Sequence, residues 1–423
     1  MIDIALMQSC FDNGEVKTFV QDYGMVIVDE CHHVSSVTFE KVLKCVKAHY
    51  VYGLTATPIR KDGHQPIIFM QCGPIQFSAD AKSQIRKQTF RRCLVPRFTS
   101  FRSVTDEKQS FASLQQSLSE DEVRNRLIID DVSMAVQNGR TPLVLTSLTH
   151  HVDILAQMLE SCAKNVVRLT GTGTAKEKRE ALQRLQNIPI GEPLIVIATG
   201  KYVGEGFDYP RLDTLFLALP ISWKGLVAQY AGRLHRESEG KKDVRIYDYI
   251  DIHEPVCDSM YRKRLKGYAA IGYQTIGLEQ PTLFEDENDL PIFSDESQIF
   301  NGRTYSRFLT KDIADAKHSI IISSPRLYRV KNNELIPLLK ELSTKGVDIF
   351  IITSKEDRGQ QHLSCLGLQV SIKTSLSLCA VIIDKKTVWY GSINVLGYSS
   401  EEDNILKIQD AKLATELLNV LLG

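Results

Sequence analysis

Near the start of the chain an apolar run ends in two carboxylates, Val26–His33 reading VIVDECHH. A buried strand that stops at Asp29 and Glu30 puts both at the carboxyl edge of a parallel sheet, where ligand crevices form. There Asp29 can hold Mg²⁺ through water, and Glu30 can polarise an attacking water for phosphoryl transfer. A zinc reading of Cys31, His32 and His33 is weaker, because adjacent residues diverge in direction and miss metal-ligand spacing. Downstream, Gln229–Arg236 reads QYAGRLHR. On a helix Gln229, Arg233 and Arg236 would share one face, with Gly232 removing bulk beside it. Two guanidiniums presented together suit the charge that develops on a transferring phosphoryl group. Between the two lies Ala198–Leu215, ATGKYVGEGFDYPRLDTL. Its Gly204 and Gly206 permit close backbone approach, and Asp208 adds a polar handle.

Strands and helices must bring these side chains to an edge. Short apolar runs at Met25–Val28, Val51–Leu54, Leu143–Leu145, Leu194–Ala198, Thr214–Leu217 and Ile246–Tyr249 alternate with helical patterns. Buried parallel strands read this way, so the expected class is α/β. Gln280–Glu296 is acidic, Pro-bearing and aperiodic, and reads as a linker. Beyond it a second α/β pattern begins, with strands expected at Ser319–Ser323, Val347–Thr353 and Ala380–Asp384 and a helix at Asn333–Ser343. The 423 residues suffice for two or three domains, and 43% hydrophobic with 24% charged residues is ordinary for a globular protein. Formal net charge is zero, so contact with a polyanion must come from local basic patches. Nine Cys, an odd number with no CxxC pair, fit a reducing cytoplasm better than a disulfide scaffold. No run approaches a membrane span, and the N-terminus lacks a basic signal region.

DECHH resembles motif II of the superfamily 2 nucleic-acid helicases, in the DExH class. Other segments resemble that family's motifs in the family's order. Ile2–Cys10 resembles motif Ib, and Thr55, Ala56 and Thr57 of GLTATP resemble motif III. Leu143–Leu155 resembles motif IV, with Arg168–Leu182 fitting the segment after it. Ala198–Leu215 resembles motif V and QYAGRLHR motif VI. The pattern lies nearest the restriction-subunit-like and repair-helicase-like branches.

The resemblance implies two RecA-like lobes, residues 1–97 and 98–255, and an ATP- and Mg²⁺-dependent helicase or translocase acting on nucleic acid, DNA ahead of RNA. It implies a nucleotide site of Asp29, Glu30, His33, Gly204, Gly206, Asp208, Gln229, Arg233 and Arg236. Thr55, Thr57 and Thr199 would couple that site to the nucleic-acid track. Glu30, Arg233 and Arg236 would be catalytic with Asp29, which would hold Mg²⁺ through water.

One part of that machine is missing from these residues. No GxxxxGK[ST] loop occurs, and GTGTAK after Leu169 lacks the spacing. The expectation is a chain inactive alone. The three explanations, in order, are a shortened gene product, the downstream half of a split gene partnered by a chain carrying the loop, and a true non-ATPase. The rival class is a non-catalytic nucleic-acid or protein binding module.

After a helix and linker, 256–300, residues 301–423 resemble a phospholipase D-like domain. That family's motif is HxK, four residues, Asp, six residues, then GS. Asp384, Gly391, Ser392 and Asn394 fit its second part. Ser377 falls where the nucleophilic His belongs and Cys379 where the Lys belongs, so the motif is degenerate and a nuclease is unexpected. The family builds one site from two motif copies. A single copy implies a dimer if any site forms.

Two stretches interleave cations with aromatics, Arg86–Arg97 around Phe90 and Met260–Tyr268 with two tyrosines. Either could meet a nucleic-acid backbone, or be an ordinary solvated face.

Overall fold

The computed structural model describes residues 2–31, 37–55, 65–77, 90–103, 110–171, 174–204, 207–221, 224–238, 240–276, 299–328, 330–374 and 376–422. The chain divides into two compact units, Met1–Gln84 and Ile85–Gly423.

In the first unit, strands β1 (Met25–Val28) and β2 (Tyr50–Gly53) pair in parallel, with Val26 opposite Val51. Helices α1 (Val37–Cys45) and α2 (Gln65–Cys72) cover one face. Val28, Cys31, Leu43 and Ile68 form the small core there. Met25, Ile27, Tyr50 and Tyr52, of opposite pleat, stand exposed.

The second unit is built on two sheets. The first comprises β3 (Arg91–Phe98), β4 (Pro142–Thr146), β5 (Asn165–Leu169), β6 (Leu194–Thr199), β7 (Thr214–Leu217), β8 (Asp243–Ile250) and β9 (Gln274–Thr275). Their order is β9-β3-β8-β7-β4-β6-β5, and every pairing is parallel. β4, β6 and β7 are buried throughout, as strands covered on both faces must be. Some of the connecting helices start where the sequence supplies caps. Asp121 accepts from Arg124 N at the head of α4 (Glu122–Gln137), which follows α3 (Phe111–Glu120). After α5 (Thr149–Leu159), Thr174 and Glu177 form a capping box on α6 (Ala175–Gln186). The short α7 (Gly200–Gly204), α8 (Lys224–Leu234) and α9 (Pro255–Ala270) complete this layer.

The second sheet is mixed. It holds β10 (Ile299–Asn301), β11 (Ser319–Ser323), β12 (Asp348–Thr353), β13 (Gln369–Ile372), β14 (Cys379–Ile383), β15 (Thr387–Gly391) and β16 (Asn404–Gln409), in the order β10-β16-β15-β14-β11-β12-β13. Only β11, β12 and β13 run parallel. Helices α10 (Tyr305–Ala314), α11 (Leu335–Thr344), α12 (Arg358–Cys365) and α13 (Ala411–Leu422) flank it.

The two sheets share one core. Leu94, Ile246 and Tyr261 belong to the same buried cluster as Tyr390, Leu406, Leu417 and Leu421. Arg97 pairs with Glu416 at 2.9 Å, Thr275 donates to the Lys407 carbonyl at 2.6 Å, and the Phe98 and Tyr390 rings meet edge-on. The expected linker, Gln280–Glu296, lies outside the described residues. A boundary at 97/98 would cut through β3, which is a strand of the second unit's sheet and runs beside β8. Its length of apolar side chains between Arg92 and Arg97 resembles a lobe's last strand until its partner is known.

Candidate active site

β1 delivers the acidic pair to its carboxyl end. Leu54 N donates to Val28 O at 2.8 Å and Cys31 N to Leu54 O at 2.9 Å, so the chain bends back over β2 just past the carboxylates. Asp29 and Glu30 are both exposed, and Glu30 N donates to Asp29 Oδ1 at 2.9 Å. Glu30 has φ +48, sparsely populated for a side-chain-bearing residue, and such outliers collect at functional sites. Gly53 is required here, because a Cβ on it would lie 2.9 Å from Cys31 Sγ. Thr55 follows β2 directly and is half-buried. His33 and Thr57 lie outside the described residues.

In the second unit β6 ends on Thr199, whose hydroxyl accepts from Gly171 N at 3.3 Å. Gly200 begins α7, and a Cβ there would sit 2.5 Å from the Tyr230 hydroxyl of α8. Gly204 closes α7, and Gly206 lies outside the described residues. Gln229 and Arg233 are on α8, both half-buried. The helix stops at Leu234, so Arg236 does not share their helical face as its spacing suggested. Tertiary contacts place it instead: Arg236 Nε meets Asp208 Oδ1 at 3.2 Å, with the side chains 56% and 48% exposed. That contact joins the segment after β6 to the segment after α8 while leaving both charges open to solvent.

Two neighbours gave no signal in the sequence. His235 Nε2 lies 3.0 Å from the Tyr273 hydroxyl, and its ring packs on Tyr273 and Phe90. Burial, then the Arg92 and Lys241 charges, pull its pKa down to about 3. Lys241 Nζ faces four carbonyls, Pro210 at 2.6 Å, Leu212 at 2.8 Å, Leu234 at 3.0 Å and Arg236 at 2.8 Å.

The remnant motif of the mixed sheet is arranged otherwise. Asp384, at φ +52, accepts from Lys317 N, His318 N and Ser319 N at 2.9, 2.7 and 2.9 Å. Partial burial opposes its charge, but the three donors outweigh it and hold the carboxyl below its ordinary value. Ser392 bridges to Asn404, and Asn394 accepts from Ser324 Oγ and donates to Arg326 O. The Ser377 carbonyl accepts from Arg262 at 2.9 Å. Cys379 is 5% exposed; burial, with Asp258 and Asp403 nearby and Arg262 opposing, pushes its thiol up to about 12. Arg262 also pairs with Asp258, which accepts from the Tyr390 hydroxyl.

Of the cations in the two basic stretches, Arg86 and Lys87 lie outside the described residues, and Arg92, Arg97, Arg262 and Arg264 are spent on structure. Arg264 pairs with Asp248 at 2.7 Å with both side chains 1% exposed, and Tyr261 and Tyr268 are fully buried. Arg97 is buried between Asp131 and Glu416, and Arg92 donates to the Ile271 carbonyl. These tyrosines cannot stack on bases. Of the cations on α9, Lys263 and Lys266 are exposed. Among the described residues no group of three or more His, Cys, Asp or Glu could hold a metal ion, and no helix is long and apolar enough to cross a membrane.

The structure therefore defines an α/β protein with parallel sheets, exposed carboxylates at the carboxyl end of β1, and a further mixed α/β sheet. Residues 2–60 match the family "Type III restriction enzyme, res subunit", and residues 309–421 match "Cardiolipin synthase, PLD-like domain". The chain is 27% identical over 243 residues to "Probable helicase D10" of Escherichia phage T5, covering 56% of this chain and 51% of that protein. It is 23% identical over 258 residues to "Transcript termination protein A18" of Fowlpox virus, covering 59% and 54%. Among solved structures, T4 UvsW matches at a TM-score of 0.37 and 16% identity, over 62% of this chain and 55% of that one. The chain spans about half the length of the curated relatives it matches. By these matches the chain is similar to helicases of the superfamily 2 type, and its C-terminal part to phospholipase D-like domains.

Proposed function

We propose that this chain is the downstream part of an ATP-driven translocase on nucleic acid. The grip on the β- and γ-phosphates then comes from a segment outside these residues. The observation that carries the reading is the Asp208–Arg236 contact at 3.2 Å, which holds a solvent-open guanidinium where the segment after α8 meets the segment between α7 and β7.

Mg·ATP would supply the transferable phosphoryl group and the metal's counter-charge. The residues present fit it. Asp29 is exposed, with one oxygen engaged by Glu30 N and the other available to a metal-bound water. Glu30 orients the attacking water and accepts its proton. In the second unit Arg233 and Arg236 are cations of the kind that stabilise charge on a transferring phosphoryl group, and Asp208 holds Arg236 at 3.2 Å. Such a site works by positioning, so the loss of one well-placed donor costs on the order of a hundred-fold.

The test supplies a GxxxxGK[ST]-bearing segment of a relative, in trans or by fusion, and measures ATP hydrolysis with single-stranded DNA, duplex DNA and RNA. We expect negligible turnover from the chain alone, restored turnover with the segment, and its loss in Glu30→Gln and in Arg236→Ala. Robust turnover by the unaided chain would overturn the assignment of the phosphate grip. Failure with every segment would favour the binding-module reading.

A further inference from the structure

We propose that Lys241 is a positioning residue that locks Asp208 and Arg236 into register by clamping the loop after the first to the backbone around the second. The inference rests on the translocase reading for its functional consequence, but not for its geometry.

Three observations carry it. First, the helix that should present Arg236 ends two residues too early, at Leu234, so helical spacing does not fix the guanidinium. Second, the Lys241 ammonium reaches carbonyls of two separate segments: Pro210 and Leu212 just beyond Asp208, and Leu234 and Arg236 at and past the end of α8. Helix-terminal carbonyls lack intrahelical donors, so a cation there answers an unmet need. Third, an ammonium has three protons and here meets four oxygens at 2.6–3.0 Å. The cage suits a compact cation with freely turning donors, and a planar guanidinium cannot reproduce it.

Asp208 and Arg236 are both about half exposed, and such a pair alone fixes little geometry. Lys241 supplies the rigidity through the main chain. The charges facing it are Asp213, which favours its proton, and Arg140, which opposes it. Burial is the largest influence and pulls the ammonium down to about 8. The clamp should therefore loosen on the alkaline side of that value.

The experiment is hydrogen exchange of the full chain, comparing wild type with Lys241→Met. The Leu212 amide, donating to Tyr209 O, and the His235 amide, donating to Gly232 O, report the two clamped segments. We expect both to exchange at least ten-fold faster in the variant, with the Leu143–Leu145 amides unchanged. No acceleration, or acceleration at only one segment, overturns the clamp. If Lys241→Met unfolds, wild type serves alone: exchange at both amides, corrected for intrinsic base catalysis, should rise above pH 8 and overturns the clamp if it stays flat. In the reconstituted ATPase the variant should lower kcat at least ten-fold with KM for ATP changed less than three-fold, and Lys241→Arg should not restore it. Full kcat in the variant overturns the proposal. Loosened amides with no turnover even from reconstituted wild type would sink the translocase reading and leave the clamp standing.

Discussion

Two regions of the second unit carry motif residues at recognisable spacing, and they treat charge in opposite ways. Between the segments that follow α7 and α8, Asp208 and Arg236 meet at 3.2 Å yet remain about half exposed, and both can still turn to a ligand. At the degenerate phospholipase D-like position the charges point into protein. Arg262 is held by Asp258 and the Ser377 carbonyl, Asp258 by Tyr390, and Cys379 is sealed beneath them. The first arrangement keeps its electrostatic energy for a visitor. The second has spent it on joining two sheets. The positions that align with the phospholipase D-like motif lie at an interface between the two sheets.

The largest effect should come from separating the joined sheets. A chain ended after Ile276 strands Leu94, Tyr261 and Phe98 without Leu417, Leu421 and Tyr390. Buried clusters that size contribute roughly 1.5–3 kcal/mol per large side chain, against a total stability of about 5–15 kcal/mol. We expect neither part alone to unfold cooperatively by circular dichroism. A sharp melt from isolated residues 299–423 would break the comparison, since the C-terminal domain would then be self-sufficient.

Single substitutions should divide along the same line. Arg264→Ala leaves Asp248 as a buried unpaired charge, although Tyr268 still donates to it, and should cost about 3–5 kcal/mol in urea unfolding. Arg236→Ala at the open edge should cost less than about 0.5 kcal/mol. Comparable costs at both would show that the open edge is structural too.

Acid supplies a third contrast. His151, between Thr146 and Asn125, is pulled down to about 3 by burial and then by the Arg124 and His150 charges. His235 is depressed as far. Both are neutral in the fold and take up protons on unfolding, so their stabilisation is complete above about pH 6.5 and drains away as pH falls toward 3. By pH 5 the loss should be about 2 kcal/mol for each. Asp384 acts in the same direction lower down, its stabilisation present above about pH 4 and lost as pH falls through its depressed value. Unfolding midpoints in urea from pH 7 to 4 measure the sum, and His235→Phe should flatten the slope between 6.5 and 5. An unchanged slope would mean that His235 is solvated.

Much of this was legible in the residues. The apolar runs Met25–Val28 and Thr214–Leu217 are strands with those bounds, and in the second the unbroken signal is that of a parallel strand buried throughout. The DE pair falls just past a strand, as its place after an apolar run suggested. What sequence could not show was non-local. Arg97 and Arg264 look like surface cations until their carboxylates, Asp131 and Asp248, arrive from elsewhere in the chain. Lys241 is one lysine among many until four carbonyls converge on it. Arg236 seemed placed by helical spacing, but the helix ended first. Spacing rules describe a face only while the element lasts.

The smallest expected effect on activity is at Cys379. As a nucleophile it would need a thiolate and access, and it has neither. A thiol held up at about 12 is ionised at pH 8 to roughly one part in ten thousand. Asp258 and Asp403 repel what charge would form, and Arg262, the cation that could favour it, is already committed to Asp258 and Ser377 O. Iodoacetamide at pH 8 should alkylate the exposed Cys365 while Cys379 stays at least a hundred-fold slower, as mass spectrometry of the tryptic peptides would show. Cys379→Ser exchanges a sulfur for a smaller oxygen in a packed site and should cost only about 1–2 kcal/mol. Assayed on single- and double-stranded nucleic acid without metal, wild type and the variant should both stay at background. Cleavage that the variant abolishes would mean that the sealed position opens, and the contrast between the two edges would fall with it.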